Sequence, residues 1–254
     1  MEKIDFVITW VDGSDKNWLK EKNKYLDNPI DIDDRIERYR DMDLLKYWFR
    51  GVEKYANWVN KIYFITCGQK PEWLNENNSK LVLVNHSDYM PKDALPTFNS
   101  NAIEVGMHKI KGLSEQFVYF NDDQFIIDYI KPTDYFKNNK PVDMMSLDPV
   151  RSPRKDNINN INGFHYVKMK NIDIVNKYFD FKESIRNNKS KYLSLKQGKF
   201  LHRTLVYMEY DSFLGFKDQH LPIPFLKETF EDVWNKEYDL LNNTQHTRFR
   251  IIFI

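Results

Sequence analysis

Four short apolar runs, each closed by a polar turn and separated from the next by a helix-length stretch, constrain this chain most. They are Ile4 to Val11, Lys61 to Thr66, Leu81 to Val84 and Phe117 to Phe120. Short runs rich in Val, Ile, Phe and Tyr read as buried strands. Between them, residues 16–27 read as a polar helix, and Leu44, Leu45, Trp48, Val52 and Tyr55 recur at helical spacing. Strands alternating with helices make a mostly parallel sheet covered by helices on both faces.

Composition narrows the function classes. Aromatics make up 15% and charged residues 30% of the 254 residues, which fits a folded chain and not a disordered one. The formal net charge of +1 supplies no global basic field, so no nucleic-acid partner is expected. Cys67 is the only cysteine, which excludes an intramolecular disulfide and a Cys-rich metal site and fits a reducing compartment. No apolar run approaches the ~20 residues that span a bilayer, and Met1 to Asp5 lacks a signal-peptide pattern. The expectation is a cytoplasmic protein.

The strand ends carry the candidate chemistry. Phe117-Val118-Tyr119-Phe120 runs directly into Asn121-Asp122-Asp123. Open α/β sheets place ligands outside the carboxyl ends of their strands. Two carboxylates there suit a divalent cation that also grips a phosphate; the same residues equally suit an Asx-type turn. The first strand ends in Asp12-Gly13-Ser14-Asp15, a tight turn with Ser14 or Asp15 available as a helix cap. Asp12 reads either as a turn former or as part of a nucleotide seat. No Gly-rich phosphate loop is present. Arg38 or Arg40, within the charged run Arg35 to Asp41, suits a phosphate clamp or a solvated surface. Cys67 reads as a buried bystander thiol, and His86 as structural. Glu104 and His108 stand four apart on one predicted helix face, while Asn101 with Glu104 fits a capping box.

Beyond Pro132 the pattern changes. Val142 to Leu147 reads as a further strand, and Arg151 to Lys155 as a basic loop. Residues 171–209 read as helices, with Ile172, Val175, Phe179, Leu201, Leu205 and Met208 spaced for burial. His220 to Pro224 is an extended entry to a helix at about 225–238. Ile251 to Ile254 reads as a final strand or as the end of a chain cut short. The expected organisation is an α/β core over 1–150, a helical insertion over 151–215, and a truncated return to the core over 216–254.

The motifs resemble the Stealth family of sugar-1-phosphate transferases, which includes bacterial capsular-polysaccharide phosphotransferases and the lysosomal-enzyme N-acetylglucosamine-1-phosphotransferase. Ile4-Asp5-Phe6-Val7-Ile8-Thr9-Trp10-Val11-Asp12-Gly13-Ser14-Asp15 is similar to the family's first block. Gly51 to Val59, Leu95 to Ser100, Ala102-Ile103-Glu104 and Asn121-Asp122-Asp123 are similar to its second block, spanning Arg38 to Phe136. His220 to Arg250 is a looser match to the third.

The resemblance implies a glycosyltransferase-A-like, Rossmann-like α/β fold. It implies transfer of hexose 1-phosphate, with N-acetylhexosamine 1-phosphate the first candidate, from a UDP-sugar to an acceptor hydroxyl of a capsular or cell-surface polysaccharide, releasing UMP. Asp122 and Asp123 would hold Mg²⁺ or Mn²⁺. Arg250, with Arg38, would stabilise phosphoryl charge, His220 would take the acceptor proton, and Glu104 would orient acceptor or sugar. Trp10, Val11, Asp12, Gly13 and Asp41, with Arg38, would line the nucleotide pocket. Peripheral association with membrane-bound polysaccharide machinery is a further expectation. Two alternatives stand beside this one: a metal-dependent glycosyltransferase that moves only the sugar, and a truncated remnant that binds nucleotide without turnover.

Overall fold

Ile4–Thr9 forms β1 with every side chain but that of Thr9 buried, as a strand covered on both faces requires. The computed structural model describes residues 2–26, 39, 42–150 and 163–250. After β1 come α1 (Lys16–Asn23), α2 (Leu45–Tyr55), β2 (Ile62–Thr66), β3 (Leu81–Asn85), α3 (Ser100–Glu104) and β4 (Gln116–Phe120). A small hairpin follows α4 (Pro132–Tyr135), made of β5 (Phe136–Lys137) and β6 (Lys140–Pro141). The helices α5 (Gly163–Tyr178), α6 (Phe181–Asn187), α7 (Lys189–Tyr192) and α8 (Leu201–Tyr207) precede β7 (Ile223–Leu226), α9 (Lys227–Lys236) and α10 (Tyr238–Gln245). The described residues form two units, one within 2–142 together with 221–250 and one within 143–220.

The first unit is built on one sheet in the order β3-β2-β1-β4-β7. The first four pair in parallel, and β7 lies antiparallel on β4. The four apolar runs thus occupy one mostly parallel sheet flanked by helices, as the glycosyltransferase-A-like expectation requires. Alternate side chains serve alternate faces. Phe6, Ile8, Phe64, Val118 and Phe120 pack with Leu45, Trp48 and Val52 of α2, whereas Val7, Tyr63, Ile65, Phe117 and Tyr119 pack with Ala102, Met107 and Ile110. Gly51 lets α2 approach the following loop, because a Cβ there would stand 2.6 Å from the Ile126 carbonyl oxygen.

Three expectations need correction. Val142 to Leu147 is not a strand; only Leu147 makes an isolated bridge, to Phe216. Its side chain instead joins Phe181, Tyr192 and Phe213 in the core of the second unit. The extended entry at Ile223–Leu226 is a sheet strand, and α9 begins two residues later than expected. Pro224 is tolerated because β7 is an edge, where a missing N–H costs no ladder bond. Phe179 and Leu205, expected buried, are 59% and 48% exposed. α5 has ended before Phe179, and α8 turns Thr204 inward. The Thr204 hydroxyl donates to Gln197 Oε1 at 2.6 Å and accepts from the Leu147 amide at 3.2 Å. The expected loops within 151–162 and the end at 251–254 lie outside the described residues.

At the amino ends of the strands, the fully buried Asp5 ties three segments together. Its carboxylate accepts from Asn60 Nδ2 at 2.6 Å, the Lys61 amide at 3.1 Å and the Ser114 amide at 2.7 Å. Removing it strands three donors away from water. Asp5→Ala is expected to destabilise the fold by about 3 kcal/mol or more in urea titration; a loss below about 1 kcal/mol would show that these contacts are dispensable.

Candidate active site at the carboxyl ends of β1 and β4

From β1 the chain crosses to β2 and β3 on one side, while β4 and β7 lie on the other. That reversal leaves a crevice outside the carboxyl ends of β1 and β4, the position at which open α/β sheets bind ligands. Ile8 pairs with Phe120, so the loop from Trp10 and the turn from Asn121 leave the sheet side by side. The Thr9 and Tyr119 hydroxyls meet across the pair at 3.0 Å.

The loop after β1 is held on both flanks. The Gln69 side-chain amide accepts from the Asp12 N–H and donates to the Asp12 carbonyl, each at 2.9 Å. Asp12 Oδ1 accepts from the Ser14 amide at 2.8 Å and hydroxyl at 2.6 Å, the turn-forming one of the two roles open to it in the sequence. Asp15 caps α1 through the Asn17 and Trp18 amides. Gly13 donates to the Tyr39 carbonyl at 3.0 Å, and a Cβ at Gly13 would stand 2.0 Å from that oxygen, so only glycine fits. Val11 packs with Trp18, Tyr39, Phe98 and Phe249. Trp10 is buried, with no hydrogen-bond partner for its indole Nε1 among the described residues. Arg38 and Asp41 lie outside those residues.

The turn after β4 is closed by Gln124. Its side chain accepts from the Asn121 amide at 2.9 Å, and its own amide donates to the Asn121 carbonyl at 3.2 Å. Asp122 and Asp123 are left exposed. Among the described residues no group of three or more His, Cys, Asp or Glu side chains is arranged to hold a metal. Two hard oxygen ligands nevertheless fit a cation such as Mg²⁺, which keeps several waters and completes its shell with substrate phosphate.

Glu104 and Arg250 are brought to the same place. Asn99, not Asn101, caps α3 by accepting from the Asn101 amide at 3.1 Å. The helix therefore starts earlier than the capping-box expectation and ends at Glu104. Its carboxyl accepts from the Tyr119 hydroxyl at 3.2 Å. Removal from water pushes Glu104 above its ordinary value, opposed by the Arg250 guanidinium and by hydrogen bonds from Tyr119 and Ser100. Arg250 donates to Ser100 Oγ at 2.7 Å and to Asn101 Oδ1 at 3.0 Å.

Residues 247–249 hold Arg250 there by running along residues 97–99. The Phe98 amide donates to the Arg248 carbonyl at 2.7 Å, and Asn99 Nδ2 to Thr247 Oγ1 at 2.6 Å. Phe98 and Phe249 stack at 5.2 Å.

The remaining expectations separate. His108 does not share a helix face with Glu104, because α3 has ended; it is buried against Phe230 and Trp234, and burial lowers its pKa to about 4. His86 is likewise buried and pushed down to about 4, in keeping with a structural role. Cys67 is exposed, not buried, because it lies just past β2 where Gly68 turns the chain with φ of 95°. His220 is exposed and ends the second unit, immediately before the chain re-enters the first. Tyr119, Thr9, Ser100 and Gln69 were not anticipated. Tyr119 was hidden inside an apolar run, where its hydroxyl at the strand's carboxyl end was the one available signal.

A mostly parallel sheet flanked by helices, with an acidic turn, a carboxyl and a guanidinium at its strand ends, is consistent with a transferase of glycosyltransferase-A-like architecture. Residues 2–30 match the family model for Stealth protein CR1, conserved region 1, and residues 38–144 that for Stealth protein CR2, conserved region 2. The chain is 45% identical over 253 residues to a capsular polysaccharide phosphotransferase WcwK of Streptococcus pneumoniae, covering 98% of this chain and 73% of the relative. It is 41% identical over 255 residues to the receptor polysaccharide phosphotransferase WefC of Streptococcus oralis, covering 98% and 74%. It is 38% identical over 247 residues to the exopolysaccharide phosphotransferase cps2G of Lactiplantibacillus plantarum, covering 97% and 71%. The chain belongs to the Stealth family, and its enzymatic class is that of a phosphotransferase.

The seam between residues 97–99 and 247–249 is what carries Arg250 to the crevice. Asn99→Ala removes the α3 cap and the bonds from Asn99 Nδ2 to Thr247 Oγ1 and to the Phe249 carbonyl. It is expected to cost about 1–2 kcal/mol and to speed hydrogen exchange at the Phe98 amide. Unchanged exchange there would place the anchoring of Arg250 elsewhere.

Proposed function

We propose that this protein transfers hexose 1-phosphate, with N-acetylhexosamine 1-phosphate the first candidate, from a UDP-sugar to a hydroxyl of a capsular or cell-surface polysaccharide, releasing UMP. The observation that carries this reading is the convergence of Glu104 and Arg250 on α3 and Tyr119, beside the Asn121-Asp122-Asp123 turn. Phosphoryl transfer asks chiefly for positioning and charge stabilisation, and a guanidinium with paired carboxylates supplies both.

In this reaction the acceptor oxygen bonds to the phosphorus that bears the sugar. The bond from that phosphorus to the bridging oxygen breaks, and UMP leaves with the electron pair. The acceptor proton passes to a base, the role given to His220. Arg250 stabilises the equatorial oxygens. Glu104, which burial shifts toward its neutral form, orients sugar or acceptor. Asp122 and Asp123 hold Mg²⁺ or Mn²⁺, which when bound offsets the charge of the diphosphate. The loop Trp10 to Gly13, with Arg38 and Asp41, lines the uridine side. Trp10's buried indole donor, without a partner among the described residues, supports a ligand acceptor there.

No helix among the described residues is long and apolar enough to cross a membrane. The reading places the enzyme in the cytoplasm, meeting membrane-bound polysaccharide machinery from the inner face.

Product analysis tests the reaction. With a UDP-N-acetylhexosamine donor, the purified protein is expected to release UMP; UDP instead would mean transfer of the sugar alone. Asp122→Asn and Asp123→Asn are each expected to lower turnover roughly 100-fold or more without moving the melting temperature. Near-full activity of either variant in EDTA would remove the metal from the site.

A further inference from the structure

Tyr119, buried at the carboxyl end of β4, has three oxygens around its one hydroxyl. They are Thr9 Oγ1 at 3.0 Å, Glu104 Oε1 at 3.2 Å and Asn121 Oδ1 at 3.1 Å. A phenol carries a single proton to donate and accepts through its oxygen. Asn121 Oδ1 only accepts, and an ionised carboxylate only accepts. With Glu104 ionised, two acceptors compete for one proton and one contact goes unbonded. With Glu104 neutral, the acid donates to Tyr119, Thr9 donates to Tyr119, and Tyr119 donates to Asn121. All three contacts are then hydrogen bonds.

We infer that Tyr119 is a positioning residue that couples the protonation of Glu104 to the side chain of Asn121, and so to the head of the turn that carries Asp122 and Asp123. The inference rests on the reading of Glu104 as a site residue and adds the residue through which it acts. Asn121 Oδ1 lies 3.1 Å from the Tyr119 hydroxyl, while the Asn121 backbone is closed by Gln124. When Glu104 loses its proton, Tyr119 turns its hydroxyl proton to the carboxylate and releases Asn121 Oδ1. Loss of the proton at one side of the crevice is thereby felt at the other.

The charged and titratable groups around this pair come from four segments. Arg250 faces Glu104 from the returning chain and favours the ionised form. Tyr89, whose hydroxyl donates to the Ile103 carbonyl at 3.0 Å, feels the same carboxyl from the loop after β3. Tyr119 faces it from β4, and Asp122 acts on Tyr119 from the turn. Burial favours the neutral acid and outweighs the others.

The test is a carboxyl titration of the whole protein labelled with ¹³C-glutamate. The Glu104 resonance is identified by its loss in Glu104→Gln, or by sequential assignment if that variant does not fold. Tyr119→Phe removes the charge-assisted bond to the carboxylate, so the Glu104 midpoint is expected to rise by about half a unit or more. Asn121→Ala removes the competing acceptor and frees the Tyr119 proton for the carboxylate, so the midpoint is expected to fall by a similar amount. Loosened packing would admit water and lower the midpoint in both variants. Shifts of opposite sign support the coupling; shifts of the same sign, or none, overturn it. Sugar-phosphate transfer by Glu104→Gln is measured in parallel. Full turnover there would take Glu104 out of the reaction, a failure of the functional reading that the titration result distinguishes from failure of the coupling.

Discussion

The parallel pairing of β1 with β4 is the constraint on which the rest depends. Ile4 pairs with Gln116 and Ile8 with Phe120, so both strands end at one level and both following loops leave at the same edge. Because the two strands are far apart in sequence, this pairing costs loop-closure entropy that only a well-buried interface offsets. Phe6, Val7, Ile8, Phe117, Val118 and Phe120 are fully buried, and aromatic contacts such as Phe6 with Phe120 at 4.8 Å cross the pair. Asp5 fixes the opposite end of the same strands through hydrogen bonds to the segments entering β2 and β4. The crevice is a consequence of this alignment, since a slip of one residue would send every side chain to the other face.

Around that fixed pair, the site is completed by segments remote in sequence. Gln69 reaches from the end of β2 to hold Asp12, and residues 247–249 run beside residues 97–99 to deliver Arg250. Each uses main-chain hydrogen bonds or amide side chains, which fix geometry without adding charge. Glu104 adds a carboxyl whose removal from water shifts it toward the neutral form, with the Tyr119 hydroxyl beside it.

The parts of this structure legible in the sequence were those with local causes. The four apolar runs announced the parallel sheet because burial on both faces leaves no alternation. Asp15 announced the start of α1, and Asn121-Asp122-Asp123 announced itself by its place at a strand end. β7 was hidden by Pro222 and Pro224, whose usual meaning is reversed at a sheet edge. The start of α3 was misplaced because Asn99 and Asn101 are both good caps, and only the returning segment selects Asn99. Tyr119 looked like one more core aromatic, and its hydroxyl acquires meaning only when Thr9, Glu104 and Asn121 are folded around it. The helices of the second unit were legible as helices. Of their expected buried positions, Ile172, Val175 and Met208 pack against the core while Phe179 and Leu205 do not, and the polar pair Gln197 with Thr204 sits inside it.

The central claim is that a divalent cation and a uridine nucleotide-sugar meet outside the ends of β1 and β4. Paramagnetic broadening by Mn²⁺ tests it directly. With ¹⁵N-labelled protein and a UDP-N-acetylhexosamine present, the amides of Asn121 to Gln124 are predicted to broaden first, followed by those of Thr9 to Ser14 and of Ser100 to Glu104. Broadening centred on the hairpin of β5 and β6, on the α2 surface or on the helices of the second unit would contradict the account.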